Sequence, residues 1–300
     1  MFDIIIVGAG PSGLTSAIYG RCAGKSVLVL EKLMYGGQII NTLDIENYPL
    51  ALHMSGADFA NKIYEQAKEL GANIKFEEVL KINNCDNYKD VVTNKETYRG
   101  KTVIIATGKV NRKLSIANED RLVGKGVSYC ATCDGNFYKG KNVAVVGGGN
   151  TALEDALYLS KICNKVYLIH RREDFRGEDK TLSLLKITKN VVLVLNSSVT
   201  SLNGEDKLNS IEITNKDGVK KIIEVDGIFI AIGQTPVNDN FKDLLNTDNE
   251  GYIVANETLT NVAGIFVAGD ARKKEVFQLV TAVSDGAVAA LEAVKYINSL

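Results

Sequence analysis

Several absences narrow this sequence before any motif is read. It has only two histidines, His53 and His170, so it cannot build a histidine-rich metal site. Its net charge is −1 and it has no run of like charges, so it offers no electrostatic footprint for nucleic acid or an acidic membrane. No apolar run approaches the ~20 residues of a membrane helix. Low-complexity tracts and Pro/Ser-rich linkers are also missing. An expected strand opens at Phe2, which leaves no room for a signal peptide. The five cysteines include only one close pair, unlike a secreted disulfide framework. Cys22, Cys85 and Cys163 read as buried or incidental thiols. A cytoplasmic location follows, where a CxxC is more often catalytic or metal-bound than structural.

What is present points to an α/β protein. Apolar residues make up 45% of the chain, and 27 glycines suit tight loops. A length of 300 residues predicts two domains. Asp3–Val7 is a short apolar run of the kind that forms a buried parallel strand. It leads into Gly8-Ala9-Gly10-Pro11-Ser12-Gly13, a helical pattern to about Ala23, and a second strand, Ser26–Leu30, ending at Glu31. The same order recurs. Strand Asn142–Val146 leads into Gly147-Gly148-Gly149-Asn150-Thr151-Ala152, a helix to about Cys163, and strand Lys165–Ile169 ending at His170-Arg171-Arg172. Each unit closes alike, Val103–Gly108 matching Ile228–Gly233. The spacing between the fingerprints nearly equals that between the closing glycines, as expected of two copies of one fold. A further strand, Gly264–Ala268, ends in Gly269-Asp270 and precedes a last helix from about Thr281 to Asn298. The expectation is two Rossmann-like dinucleotide-binding domains, the second inserted into the first: 1–112 and 242–300 form one domain, 113–241 the other.

In such a fingerprint the first glycine permits the tight turn, the second lets backbone approach a pyrophosphate, and the third lets helix pack on strand. The helix N-terminus offers N–H groups and a positive dipole end to the phosphates. Glu31 falls about 20 residues past Gly10, where a carboxylate accepts from ribose hydroxyls and repels a 2′-phosphate. The first site therefore favours FAD or NAD. At the matching position after Gly149 stands Arg171, with Arg172 and Arg176 following. Guanidinium groups fit phosphate oxygens, so the second site favours NADPH, although Glu173 and Asp174 could partly neutralise the cluster. Asp270 at a strand end could bind a polyol hydroxyl.

Between the fingerprints lies Tyr129-Cys130-Ala131-Thr132-Cys133-Asp134-Gly135. Zinc would need four ligands, and one CxxC with two histidines does not supply them. A structural disulfide is disfavoured by compartment. Redox catalysis remains, one cysteine attacking a partner disulfide and the other resolving it. Asp134 could move the accompanying proton, or cap a helix. Two dinucleotide sites around one dithiol suggest electrons passing from a nicotinamide through a flavin to a disulfide.

With these elements together, the whole chain resembles the low-molecular-weight thioredoxin reductases, of the class II pyridine nucleotide-disulfide oxidoreductases. Cys130–Gly135, Gly147–Glu154, and His170-Arg171-Arg172 with Phe175-Arg176 carry the resemblance. Gly36-Gly37-Gln38, Glu46-Asn47-Tyr48-Pro49 and Val267–Asp270 support it. The resemblance implies an FAD site of Gly8, Gly10, Pro11, Ser12, Gly13, Glu31, Lys32, Gly36, Gly37, Gln38, Asn47, Val79, Thr107, Gly108, Gly269, Asp270 and Gln278. It implies an NADPH site of Gly147, Gly149, Asn150, Thr151, Ala152, Arg171, Arg172 and Arg176, with Glu154 near the nicotinamide. Cys133 would face the flavin, Cys130 would attack thioredoxin, and Asp134 would be the acid–base group. The family is homodimeric and cytoplasmic, and it rotates one domain against the other about two crossings. Gly108 and Gly233 lie near those crossings.

Two departures stand out. Many relatives have Arg-Gln where this chain has Phe277-Gln278, and two phenylalanines where it has Asn136-Phe137. Other readings are a ferredoxin-fed reductase, an oxygen-reducing dithiol oxidase, a hydroperoxide-reductase flavoprotein and a flavin-holding interaction protein. The second fingerprint and its arginines argue against the first two. The fingerprint's early start at Gly8 argues against the third, and Cys130, Cys133 and Asp134 against the last.

Overall fold

In a computed structural model that describes residues 1–42, 44–51 and 53–300, the chain divides into two compact units. Unit 1 comprises Met1–Ile40, Tyr48–Val110 and Thr235–Leu300, and unit 2 comprises Asn41–Asn47 and Asn111–Gln234. The chain thus leaves unit 1 and returns to it, and each unit is built from more than one stretch of chain.

Unit 1 begins with β1 (Phe2–Val7), α1 (Pro11–Cys22), β2 (Val27–Glu31), α2 (Gly56–Glu69), β3 (Asn73–Phe76), β4 (Val79–Asn84), β5 (Lys89–Thr93), β6 (Thr97–Ile105) and β7 (Lys109–Asn111), whose last residue lies in unit 2. Unit 2 follows with α3 (Glu119–Leu122), β8 (Val127–Ser128), α4 (Ala131–Asp134), β9 (Asn142–Val146), α5 (Asn150–Ser160), β10 (Lys165–Ile169), α6 (Asp179–Ile187), β11 (Val191–Val194), β12 (Ser197–Asn203), β13 (Ser210–Asn215), β14 (Lys220–Glu224) and β15 (Gly227–Ile230). The returning segment carries β16 (Gln234–Pro236), β17 (Ile265–Val267) and α7 (Leu279–Asn298).

The sheet of unit 1 runs β3-β2-β1-β6-β5-β4. Strands β3, β2, β1 and β6 are parallel, with Ile4 opposite Val27 and Thr102. β6 is long enough to change partners: Thr97–Gly100 pairs antiparallel with β5, while Val103–Ile105 pairs parallel with β17. Successive strand residues face opposite sides, and both sides are apolar. Ile4, Ile6, Val29 and Ile104 pack with Leu14, Ala17, Ala289 and Ala293 of α1 and α7. Ile5, Val7, Leu28 and Ile105 pack with Val79, Val91, Phe241 and Ile253 on the other face. Each such side chain withdrawn from water contributes roughly 1.5–3 kcal/mol before entropy is counted.

The main sheet of unit 2 runs β11-β10-β9-β15-β8 and is parallel throughout. Strands β12, β13 and β14 form a separate antiparallel sheet. The arrangement β2-β1-β6 in unit 1 recurs as β10-β9-β15 in unit 2. The first strand of each copy is therefore flanked by two parallel neighbours, and its C-terminal end is the point where strand order reverses and ligands bind in this architecture. Among the described residues, no helix is long and apolar enough to cross a membrane.

Candidate functional site

The first fingerprint occupies the reversal point of unit 1. Gly8 has φ +108°, and a Cβ there would lie 2.4 Å from the Ala106 carbonyl oxygen, so only glycine fits. A Cβ on Gly13 would lie 1.9 Å from the Gly8 carbonyl oxygen. Helix α1 starts at Pro11 with Gly10 as an N-cap that offers no side chain, leaving its first N–H groups to a ligand. Gly37 approaches the same turn: its Cβ would lie 3.4 Å from the Gly10 Cα. Two backbone N–H groups fix the Glu31 carboxylate, Ala9 donating to Oε2 at 2.8 Å and Leu33 to Oε1 at 3.0 Å. Asp270 sits on a 3-10 turn, Gly269–Ala271, directly after β17. Its Oδ1 is buried, accepts no hydrogen bond and meets Lys274 Nζ as an ion pair at 3.1 Å. The uncapped helix, the bare glycine backbone and the under-satisfied Asp270 carboxylate fit a dinucleotide with hydroxyl groups.

The remaining residues that the resemblance assigns to this site are dispersed. Ser12 is buried beneath Gly269, whose Cβ would lie 2.5 Å from its Oγ. The Gln38 side-chain amide donates to the Lys109 carbonyl. Thr107 Oγ1 donates to Asn238 Oδ1 at 3.0 Å, and Gly108 has φ +67°. Gly36 is buried, its position leaving 2.6 Å between a Cβ and Ile40. Lys32 is exposed and pairs with Glu78 at 2.7 Å. The Val79 side chain belongs to the core, and its carbonyl accepts from Asn240. Gln278 caps α7 in a reciprocal box with Thr281. Asn47 falls within the short segment that clusters with unit 2.

The second fingerprint occupies the reversal point of unit 2. Gly147 has φ +158°, and a Cβ there would lie 2.3 Å from the Ala231 carbonyl oxygen. Gly149 faces open space and again caps its helix, α5, without a side chain. Asn150 Oδ1 accepts from the Glu178 N–H at 2.8 Å, and the Arg176 N–H donates to the Gly148 carbonyl at 2.7 Å. The arginine-bearing loop is thereby tied to the fingerprint. Thr151 and Glu154 are exposed on α5, and Ala152 is buried. Arg171, Arg172 and Arg176 are exposed, and among the described residues none of them forms a salt bridge, with Glu173 and Asp174 or any other acid. These open guanidinium groups and the bare helix end fit a phosphorylated nucleotide.

Beneath this loop His170 does work that its sequence position did not announce. Its ring is buried, stacks on Phe175 at 5.0 Å and fills the space against Gly148, where a Cβ would lie 2.1 Å from Cε1. Burial, and the positive charge of Arg176, Arg171 and Arg172, push its pKa down, while its contact with the Asp174 carbonyl at 3.1 Å opposes this. A neutral ring thus supports the arginines from below.

Cys130 and Cys133 form a disulfide whose Cα atoms are 5.3 Å apart. Cys133 lies in the single turn α4 and Cys130 just ahead of it, held by the Asp134 N–H donating to the Cys130 carbonyl at 3.1 Å. Ser128, at the end of β8, was not singled out from the sequence. Its Oγ donates to Asp134 Oδ2 at 2.7 Å and accepts from the Cys130 N–H at 3.1 Å. With Oδ2 engaged, Asp134 Oδ1 is buried and has no hydrogen-bond partner. Burial pushes the Asp134 pKa up, and the Ser128 hydrogen bond partly opposes it. A proton on this carboxyl therefore belongs on Oδ1. The departure at Asn136 also has a local reason: its amide donates to the Glu46 carboxylate. Phe137 beside it is 39% exposed, an aromatic surface four residues past Cys133. The other thiols are dispersed: Cys163 is buried, Cys85 half-buried and Cys22 exposed. No metal-ligand cluster occurs among the described residues.

Two dinucleotide-binding units, one carrying a dithiol, define a nucleotide-linked disulfide oxidoreductase. Residues 2–286 match the pyridine nucleotide-disulphide oxidoreductase family, and the chain belongs to it. The thioredoxin reductase of Listeria monocytogenes is 39% identical over 303 residues, covering all of this chain and 95% of that protein. A 34.2 kDa protein of the rubredoxin operon of Clostridium pasteurianum is 42% identical, covering 99% and 97%. The crystal structure of thioredoxin reductase from Streptococcus pyogenes superposes with a TM-score of 0.95 at 39% identity, over 100% of this chain and 99% of that one.

Proposed function

We propose that this chain is an NADPH-dependent thioredoxin-disulfide reductase, working as a cytoplasmic homodimer. The observation that carries the reading is a disulfide adjoining a buried, half-satisfied carboxyl, in the same unit as a fingerprint followed by three unpaired arginines. FAD would be held by the first fingerprint with Glu31, Gln38 and Asp270. NADPH would be held by the second fingerprint with Arg171, Arg172 and Arg176. Bound FAD supplies a two-electron relay between the nicotinamide and the disulfide.

The protein's own residues then handle sulfur and protons. Two electrons and two protons convert the Cys130–Cys133 disulfide to a dithiol. The Cys130 thiolate attacks one sulfur of the partner disulfide, and that disulfide's other sulfur leaves as thiolate. Asp134 delivers a proton from Oδ1 to the departing sulfur, a role that burial favours by pushing its pKa up. The Asp134 carboxylate then takes the proton of the Cys133 thiol, and the Cys133 thiolate attacks Cys130 in the mixed disulfide. The second partner sulfur leaves, takes up from solvent the proton that Cys130 gave to it, and the starting bond is restored. Ser128 keeps the carboxyl turned so that Oδ1, not Oδ2, is the acid. The exposed ring of Phe137 belongs to the docking face for thioredoxin. Rotation of one unit against the other about the crossings near Gly108 and Gly233 lets the dithiol alternate between its electron donor and its partner.

Stopped-flow mixing of the yellow protein with NADPH, then NADH, then oxidised thioredoxin tests this reading. NADPH should bleach the flavin much faster than NADH, and thioredoxin should restore it. A bleached protein that thioredoxin cannot reoxidise rules out the partner assignment, and equal bleaching by NADH rules out the role given to the arginines.

A further inference from the structure

Lys109 follows the turn Thr107-Gly108 near the end of the Tyr48–Val110 stretch of unit 1, and its side chain is only 7% exposed. Its Nζ lies 3.4 Å from the centroid of the Phe277 ring and 3.7 Å from Asp270 Oδ2. Lys274, 6% exposed, lies 3.1 Å from Asp270 Oδ1 and 3.2 Å from Asp285 Oδ2. Arg272 pairs with both oxygens of Asp285, at 3.0 and 2.9 Å. Three cations thus share two carboxylates; Glu275 lines the outer side of the cluster but is exposed to water, so the buried part carries one surplus positive charge. Burying an unmatched charge is strongly unfavourable, so such a cluster is one anion short. Phe277 offers Lys109 only the negative face of its ring, which attracts a cation without neutralising it.

The position of the cluster says which anion. Gly269, the residue before Asp270, packs on Ser12 in the first turn of α1. The Lys109 carbonyl accepts from Gln38, next to Gly37, which closes on Gly10. Lys109 is therefore tied from two sides to the turn whose uncapped N–H groups face a dinucleotide. We propose that Lys109 is a cofactor-binding residue, its amine held between Phe277 and Asp270 and presenting the surplus positive charge to an anionic oxygen of the flavin nucleotide. This rests on the reading that the first fingerprint holds FAD.

A lysine in this place adds a property that an arginine would lack. Burial brings its pKa down to about 8; Asp270 opposes the shift and Lys274 reinforces it. The other groups against it, Gln38 and Phe277, do not titrate in this range. A bound anion favours the charged amine, so FAD binding should draw a proton onto Lys109 when the pH exceeds about 8. Affinity should then fall as pH rises beyond that value.

The test is the dilution of full-length holoprotein from about pH 7 to about pH 9.5, with released FAD read by flavin fluorescence. Wild type should release more FAD toward the alkaline end. Lys109→Met should bind FAD about 10–100-fold more weakly at neutral pH, with a flat profile. Lys109→Arg, charged throughout, should retain FAD with a flat profile. Wild-type affinity in Lys109→Met, or a wild-type pH profile in Lys109→Arg, overturns the proposal; the second readout holds even if the methionine variant misfolds. Wild-type protein purified without any flavin would instead overturn the assignment of the first fingerprint to FAD.

Discussion

Helices α1 and α5 descend from the same fingerprint position in the two units, yet their surfaces differ where the sequences align. Gly13 corresponds to Ala152, and Ser16 to Asp155. In unit 1 the long helix α7 packs closely along α1. A Cβ on Gly286 would lie 2.2 Å from the Ser12 carbonyl oxygen, and Ser16 Oγ donates to the Gly286 carbonyl at 2.9 Å. In unit 2 the helices against α5 are the single turn α4 and the nine-residue α6. Gly135, one residue past α4, fits against Tyr158 and Leu159. A shared fingerprint thus sets the turn, and each helix pair needs a glycine where it closes, Gly286 against Ser12 in unit 1 and Gly135 against Tyr158 in unit 2. The acidic Glu31 at the end of β2 and the basic Arg171 after β10 show the same division. The scaffold repeats, while the side chains at its edge differ in charge.

The strongest test of this division is Cys133→Ser, which changes unit 2 alone. Thioredoxin reduction should fall to background, because no resolving thiolate remains. The protein should stay yellow, and NADPH should still bleach it, because neither fingerprint is touched. Loss of flavin in this variant would mean that the two units are not chemically separate. Next in size is Arg171→Ala combined with Arg172→Ala. Each charge-assisted hydrogen bond removed costs about 1.5–3 kcal/mol, so KM for NADPH should rise by at least tenfold while that for NADH stays near its original value. Parallel losses for both nucleotides would place the arginines outside the 2′-phosphate site.

How far the sequence carries this comparison can be judged from particular residues. Strands at Asn142–Val146 and Lys165–Ile169 are found at the expected bounds, and α1 stops within a residue of the expected end, because buried parallel strands and glycine turns are local signals. The antiparallel pieces were not legible. In β14, Lys220, Lys221, Ile222 and Glu224 are exposed and only Ile223 is buried, so no apolar run marks it. The fingerprints, Glu31, the arginines and the CxxC-Asp are legible as candidates because each is a spacing. Ser128 and Lys109 could not be found in that way. Ser128 matters through a hydrogen bond across six residues, and Lys109 through partners at Asp270 and Phe277 that only the fold brings close.

A smaller effect separates the two helices directly. Gly13→Ala should destabilise by about 1–3 kcal/mol, since its methyl group would collide with the Gly8 carbonyl and β1 beneath. The reciprocal change, Ala152→Gly, should cost only about 0.5–1 kcal/mol, the usual backbone-entropy cost of glycine in a helix. Denaturant melts of both variants check the asymmetry. Equal losses would mean that the Gly8 carbonyl does not set the size of this residue.

The smallest predicted effect concerns Asp155, which stands where α1 has the hydrogen-bonded Ser16. Burial first, and the negative charge of Glu154 second, push its pKa up from 3.8 to about 7. The folded protein therefore holds this proton where the unfolded chain has released it. Stability from this group is complete below about pH 4 and is lost progressively as pH rises to about 7. Above that, the fold carries an ionised carboxylate in a poorly solvated place. Asp155→Asn keeps the shape of the protonated acid and cannot ionise. It should stabilise the fold at pH 8 by on the order of 1 kcal/mol after solvent relaxation is allowed for, seen as a higher Tm, and leave Tm unchanged near pH 4. An equal change at both pH values would show that the carboxyl does not titrate between them. A lower Tm at pH 8 would show that the ionised form has a partner in unit 2, making this position the counterpart of the satisfied Ser16.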